Sequence, residues 1–509
     1  MTVRIGEKRL TIYDILNVAR HNEALELTSV AQDRIKHCRR FVDKKVAQQE
    51  IMYGINTGIG DLAKVALPAE QLEVFQKFLV YSHAAGYGDP LAIEYARAAQ
   101  TSRVNVLSQG HSGCNLRIVE TMVAMLNKGV TPLACEKGSV GACGDLSPMS
   151  QMALVMIGEG EAFYKGERMS AKAAMDKAGI PIIKFEARDG LASINGSNVI
   201  AGAGSILLCD AIMLTKTAEI AAAMTLEALN ANPKAFEDPV HTIRGFAGAV
   251  KCARHLRAIM KDSQILERPG KNVQDAYSIR STPQVVGALW DALDYAVAQF
   301  ETELNGVGDN PIFFPEGDSG FVVTGANFQG TPMSYPLDHI GTGITMINVM
   351  SERRLNRILN KSLSMGLPAY LTKGAGMFSG MMLMQYTSGA LVCENRILSS
   401  PASIGSIPAA ADQEDFVSMG MTTVLKTRDI VKNGFAIIGM EMIAAAQAFE
   451  FLKPAKAGKG SQAAYDIVRK YVKVLDDDRP LHSDINAIAK VVATGEIVDA
   501  VESAVGKLD

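Results

Sequence analysis

The chain has 509 residues, 48% hydrophobic and 21% charged, and its 51 basic and 54 acidic residues leave a formal charge of −3. That balance excludes partners selected by basic excess, so neither nucleic acid nor an anionic membrane surface is expected. The length exceeds the roughly 250–300 residues at which one hydrophobic core stops growing, and seven scattered cysteines without a C-x-x-C pair point to a reducing, cytoplasmic setting rather than a disulfide scaffold.

Taken in chain order, the opening "MTVRIGEKRLTIYDIL" carries charge in every turn, unlike a signal peptide. The uncharged run 191–209 is interrupted by Asn195, Asn198 and several Ser and Gly residues, which would be costly in lipid, so no membrane span is expected. Helical patterns then dominate. Residues 207–229 and 430–452 are long and Ala/Met-rich, apolar over much of their circumference, as suits the middle of a bundle. Val286, Leu289, Leu293, Val297, Phe300 and Leu304 form a stripe at helical spacing. The clearest strand signal is "GFVVTG" at 320–325. Without βαβ alternation a doubly wound nucleotide-binding fold is not expected. A shift towards long helices near residue 200 divides the chain into an N-terminal domain, 1–200, and an elongated helical-bundle domain, 201–509.

Polar, Gly-bearing loops recur between the helices, at 53–61, 83–90, 138–148, 193–199, 270–284, 305–311, 324–331 and 400–419. Among them "GSVGACGDLSPM", 138–149, has three readings. A phosphate cradle lacks the Lys-Ser/Thr of a P-loop and the strand of a dinucleotide fingerprint. A tight turn with a buried free cysteine is the plain reading. The third is backbone cyclisation, in which the Gly144 nitrogen attacks the Ala142 carbonyl carbon. Loss of water and of the substituent on the central Cβ then leaves an exocyclic alkene on an imidazolone. Glycine allows the close approach, alanine leaves the carbonyl open, and the Cys143 thiol, with an ordinary pKa of about 8.5, serves as the leaving group.

The loop resembles the prosthetic-group loop of the histidine and aromatic amino acid ammonia-lyases, which usually reads G-S-V-G-A-S-G-D-L-A-P-L. "YGINTGIGDLA" (53–63), "SHAAGYGDPL" (82–91), "INGSNV" (194–199), "VQDAYSIRSTPQVVGA" (273–288), "GDNPIF" (308–313), "GANFQG" (325–330), "SERR" (351–354) and "DQEDFVSMG" (412–420) follow the family's motifs in order. The resemblance implies a mainly α protomer of ammonia-lyase/fumarase-like architecture, with a long central helical bundle and a smaller mixed N-terminal part carrying the electrophile loop. It further implies a homotetramer with shared active sites, an amino-acid substrate, and a 4-methylidene-imidazol-5-one formed from Ala142, Cys143 and Gly144. Neither a nucleotide nor a metal is expected, since the eight histidines show no H-x-x-x-H or H-x-H ligand spacing.

Residue by residue, the resemblance makes Tyr53 the base, which would need a depressed pKa to act at neutral pH. It makes Arg280 the bidentate clamp on the substrate carboxylate. Tyr277, Asn195 and Asn310 line the carboxylate and prosthetic group, and Phe328 walls the pocket. Asp145 either positions the loop or caps the helix that follows. Ser82-His83 is similar to the pair found in histidine lyases, and Glu414 falls where those enzymes place a carboxylate against an imidazole nitrogen. Together these favour elimination of ammonia from L-histidine to trans-urocanate. The departures are Cys143 for Ser, Asp412 for Asn, Phe416 and Gln329 for His, and Ala276 for Pro. Several lean towards the alternatives, a tyrosine or phenylalanine ammonia-lyase or a 2,3-aminomutase; a third possibility is an uncyclised, inactive homologue.

Overall fold

The computed structural model describes residues 2–317 and 319–509. The chain divides into two units. One runs to Cys209 and takes in Ala296–Asp338 and Pro401–Leu425; the other comprises Asp210–Tyr295, His339–Ser400 and Lys426–Asp509. The boundary read near residue 200 falls inside an unbroken helix, Asn198–Ala228, and two segments of the expected second domain belong with the first unit. The reason is local: 324–331 and 401–419 bring Phe328, Glu414 and Ser418 against the loop around Cys143.

The first unit is mixed. Val3–Ile5 pairs in parallel with Leu25–Leu27, and Tyr87–Pro90 pairs antiparallel with Cys135–Lys137. Val130–Pro132, Glu161–Tyr164 and Glu167–Ser170 make a three-stranded antiparallel sheet. The strand expected at 320–325 is Ser319–Val323, hairpin-paired with Ile312–Glu316 so that Phe313 stands opposite Val322. Behind these lies the helix Ile93–Ser108, buried at every position from Tyr95 on. Its small residues let it meet the Asn198–Ala228 helix closely: a Cβ on Gly202 would come 2.4 Å from the Ala98 carbonyl carbon. The Arg97 guanidinium on that helix donates to the carbonyls of Val18, Ala19 and Leu126, at the ends of the helices Ile12–Ala19 and Leu116–Lys128. Cations are favoured at such ends.

The second unit is helical. Besides parts of the long helices it holds Ala247–Ile259, Met382–Leu398, Lys459–Tyr471, His482–Thr494 and Glu496–Val505. Two buried polar clusters lie within it: Arg354 forms a two-bond ion pair with Glu441, and Glu219 accepts from His255 and the Trp290 indole. The expected helices are present but begin earlier than their apolar stripes, as Thr282–Leu304 and Gly420–Leu452. The first gains a turn because Pro283 sits where no intrahelical N–H is needed. The second starts with the polar "GMTTVLKTRD", which carries no stripe. Two helices, Asn198–Ala228 and Gly420–Leu452, are long and apolar enough to cross a membrane by length and composition, but 89% and 72% of their most apolar windows are buried inside the fold. They are core helices.

Candidate active site

The loop 138–145 is held by backbone from two segments, 418–419 and Gly196. Met419 N donates to Val140 O (2.9 Å) and Ser418 N to Gly141 O (3.3 Å). Gly144, at φ +72, lies against Gly196 so closely that a Cβ would stand 2.1 Å from the Gly196 carbonyl carbon. Asp145 N donates to Gly196 O at 2.9 Å. The Asp145 side chain does not cap the helix Leu146–Met156 that follows it. Instead its carboxylate reaches the start of another helix, accepting from Ile200 N (2.9 Å) and from Ser139 Oγ (3.1 Å). It is wholly buried, and burial raises its pKa to about 7 despite those bonds.

Two cavities meet at Cys143. One, of about 480 Å³, is lined by Tyr53, Ala142, Cys143, Asn310, Phe328 and Glu414 among others. The second, of about 520 Å³, shares Tyr53, Cys143 and Glu414 and adds His83 and Asn195. Eight of the expected residues thus converge from loops far apart in the chain, with Gly144 packed behind them. The Cys143 thiol donates to Glu414 Oε1, with Sγ at 3.0 Å. Burial and the Glu414 carboxylate both push that thiol well above its ordinary value. The Tyr53 hydroxyl accepts from Gly60 N at 2.9 Å. Its pKa is raised, chiefly by burial and further by Cys143 and Glu414. This is opposite to the lowering that a base requires, because the hydroxyl is buried and its neighbours Cys143 and Glu414 are acidic. His83 Nδ1 lies 2.7 Å from Leu79 O, and since a carbonyl only accepts, Nδ1 donates.

Asn195 donates through Nδ2 to Asn310 O at 2.7 Å, while its buried Oδ1 has no hydrogen-bond partner. Asn310 accepts from Gly325 N through Oδ1 at 2.9 Å. What fixes this corner is a cluster that sequence reasoning missed. Asp309 bridges Arg103 (3.0 Å) and Arg188 (2.8 Å), with all three fully buried. Arg188 also donates to Asn310 O (3.1 Å), and Arg103 to Ala192 O (2.9 Å). The one available signal was Arg103 inside "AAQTSRVNVL", where it is the only charged residue in a stretch of mostly small and apolar ones.

Tyr277 and Arg280 belong to the second unit, in the short helix Tyr277–Arg280, and line neither cavity. Tyr277 is 73% exposed with the Arg280 guanidinium 4.8 Å from its ring centre, and Arg280 Nε is buried without a hydrogen-bond partner. Among the described residues no group of three or more His, Cys, Asp or Glu could hold a metal ion.

A glycine-bearing loop facing a tyrosine, a histidine and a carboxylate in a largely helical framework fits a lyase of amino acids, and the comparisons give that class. The family model for aromatic amino acid lyases matches residues 10–470; the chain belongs to that family of carbon–nitrogen lyases. It is 42% identical to a histidine ammonia-lyase of Alkaliphilus oremlandii, over 99% of both chains, and 43% identical to one of Caldanaerobacter subterraneus, over 98% of both. Among solved structures, a tyrosine aminomutase from Streptomyces globisporus superposes with a TM-score of 0.95 at 33% identity, covering 100% of this chain and 99% of that one. A histidine ammonia-lyase from Trypanosoma cruzi superposes with a TM-score of 0.92 at 35% identity, covering 99% and 96%.

Proposed function

We propose that this protein eliminates ammonia from L-histidine to give trans-urocanate, at a methylidene-imidazolone made from its own Ala142, Cys143 and Gly144. The observation that carries the substrate is Glu414, on the wall of both cavities. It can pair with an imidazole nitrogen, whereas opposite a phenyl ring it would be an unpartnered charge in a partly closed site, which is costly. The histidine ammonia-lyases among the relatives support the same reading.

In maturation the Gly144 nitrogen bonds to the Ala142 carbonyl carbon. Water leaves with the Gly144 and Cys143 amide hydrogens, and hydrogen sulfide leaves with the Cys143 Cα hydrogen. Two features support closure here: the space at Gly144 that a Cβ would overfill, and the buried Asp145 anchor beside it. The finished ring supplies an electrophile, which no standard side chain offers, to activate the substrate for loss of ammonia.

The chain's own groups then have distinct tasks. Glu414 orients the imidazole, and an imidazolium bound there offsets the acidic neighbours' share of the rise in the Tyr53 pKa, burial being the larger share. Tyr53 Oη takes the β-proton. Asn195 presents its free Oδ1 to a donor on the substrate, Asn310 lines the same corner, and Phe328 closes the wall. Arg280, with Tyr277, clamps the carboxylate from another copy of the chain in a homotetramer. A cytoplasmic setting suits seven cysteines of which none is paired.

Phe416 and Gln329 on the wall of the first cavity favour a second reading, a tyrosine lyase or aminomutase. Ultraviolet assays with histidine, tyrosine and phenylalanine separate the two. A urocanate band with histidine alone is expected; a coumarate or cinnamate band without urocanate overturns the histidine reading.

A further inference from the structure

The contact between Cys143 Sγ and Glu414 Oε1, 3.0 Å, has no counterpart in the substrate chemistry, because the sulfur is gone once the ring exists. It belongs to the open chain. Tyr53 and Asp61 line both cavities, His83 lines the second, and Lys64 and Asp415 line the first. Of the side chains around Cys143, Glu414 is the one hydrogen-bonded to it. Sulfide loss needs a base for the Cα hydrogen and a proton source for the departing sulfur, both close to the Cβ–Sγ bond. A carboxylate already touching Sγ can serve as both in turn.

We infer that Glu414 is the acid–base residue of the sulfide-elimination step by which the loop matures, before it serves the substrate. The inference rests on the reading that Ala142-Cys143-Gly144 cyclises. Flanked by the carbonyl and the new C=N bond, the Cα–H of residue 143 is acidic. Glu414 takes that proton, the electron pair forms the Cα=Cβ bond, and the Cβ–S bond breaks. Sulfur leaves as hydrosulfide with its own proton. Glu414 then returns the proton it took, hydrogen sulfide departs, and the carboxylate is regenerated. No oxidant or reductant enters. Holding the sulfur as a thiol also matters, since a thiolate would have to depart as the far more basic sulfide dianion; burial and the Glu414 contact both keep it protonated.

The test follows sulfur rather than turnover. Full-length wild type, Glu414→Gln and Glu414→Asp are expressed, and each is examined by intact mass and by iodoacetamide labelling of residue 143. Wild type is expected to have lost sulfur completely. In Glu414→Gln, sulfide loss is expected to slow by about a hundredfold or more, the low end of what acid–base catalysis contributes. Most chains then keep an alkylatable Cys143, whether or not water has been lost. Glu414→Asp retains a carboxylate and is expected to mature, more slowly than wild type; it decides the matter if the Gln variant does not fold. Complete sulfur loss from Glu414→Gln, or from Glu414→Asp no more slowly than from wild type, overturns this inference while leaving cyclisation standing. An intact thiol in wild type overturns both.

Discussion

Asp145 offers a stability test of the loop's anchor. Its carboxylate is fully buried and its pKa rises from 3.8 to about 7 in the folded chain. A group whose folded value is raised contributes stability in full below its unfolded value and loses it as the pH climbs through the folded one. A difference of about three in pKa corresponds to about 4 kcal/mol, of which about 2.6 kcal/mol is lost between about pH 5 and about pH 8. Asp145→Asn keeps an oxygen for Ile200 N but cannot ionise, so this part of the pH dependence should vanish. Glu303, also held near 7 and sensitive to the Asp145 charge, should move in the same direction. Over 509 residues, an unfolding entropy of about 2.1 cal/mol/K per residue makes 1 kcal/mol worth about 1 °C. Near-UV circular dichroism melts at the two pH values, at fixed protein concentration, should therefore show wild type losing about 2–3 °C more than Asp145→Asn. Equal losses in both would mean that the buried carboxylate is not the proton-linked anchor described.

Cys143→Ala should abolish turnover with melting temperature unchanged, because it deletes the leaving group while leaving the backbone anchors intact; Cys143→Ser should keep turnover, since hydroxide can leave in place of sulfide. Full activity in the alanine variant would contradict an electrophile at this position. Gly144→Ala should arrest cyclisation and lower the melting temperature, since its Cβ would meet the Gly196 carbonyl carbon at 2.1 Å and its φ is +72, a strain of about 1–3 kcal/mol before any repacking. An unmodified melting curve with a matured loop would refute the packing argument.

Much of the site was legible because its residues sit in short motifs whose order survives in the chain. Tyr53, His83, Ala142, Cys143, Asn195, Asn310, Phe328 and Glu414 were named from sequence, and all line the cavities that meet at Cys143. The helices were legible from their stripes, though not their first turns, where polar residues or Pro283 break the pattern without breaking the helix. What sequence could not convey was pairing across distance. Nothing in "GDNP" announces that Asp309 bridges two buried arginines, since arginine is rarely found inside. Nor does Asp145 before a helix reveal that its carboxylate serves a different helix. The electrostatics of Tyr53 were equally hidden: the family resemblance implied a base, while burial first, and then Cys143 and Glu414 beside it, raise its pKa.

Intact-protein mass spectrometry of the purified wild-type chain tests the central claim most directly. The expected mass is that of the encoded sequence less one water and one hydrogen sulfide, with residue 143 no longer alkylated by iodoacetamide. A mass equal to the full sequence, with Cys143 still reactive as a thiol, would contradict it.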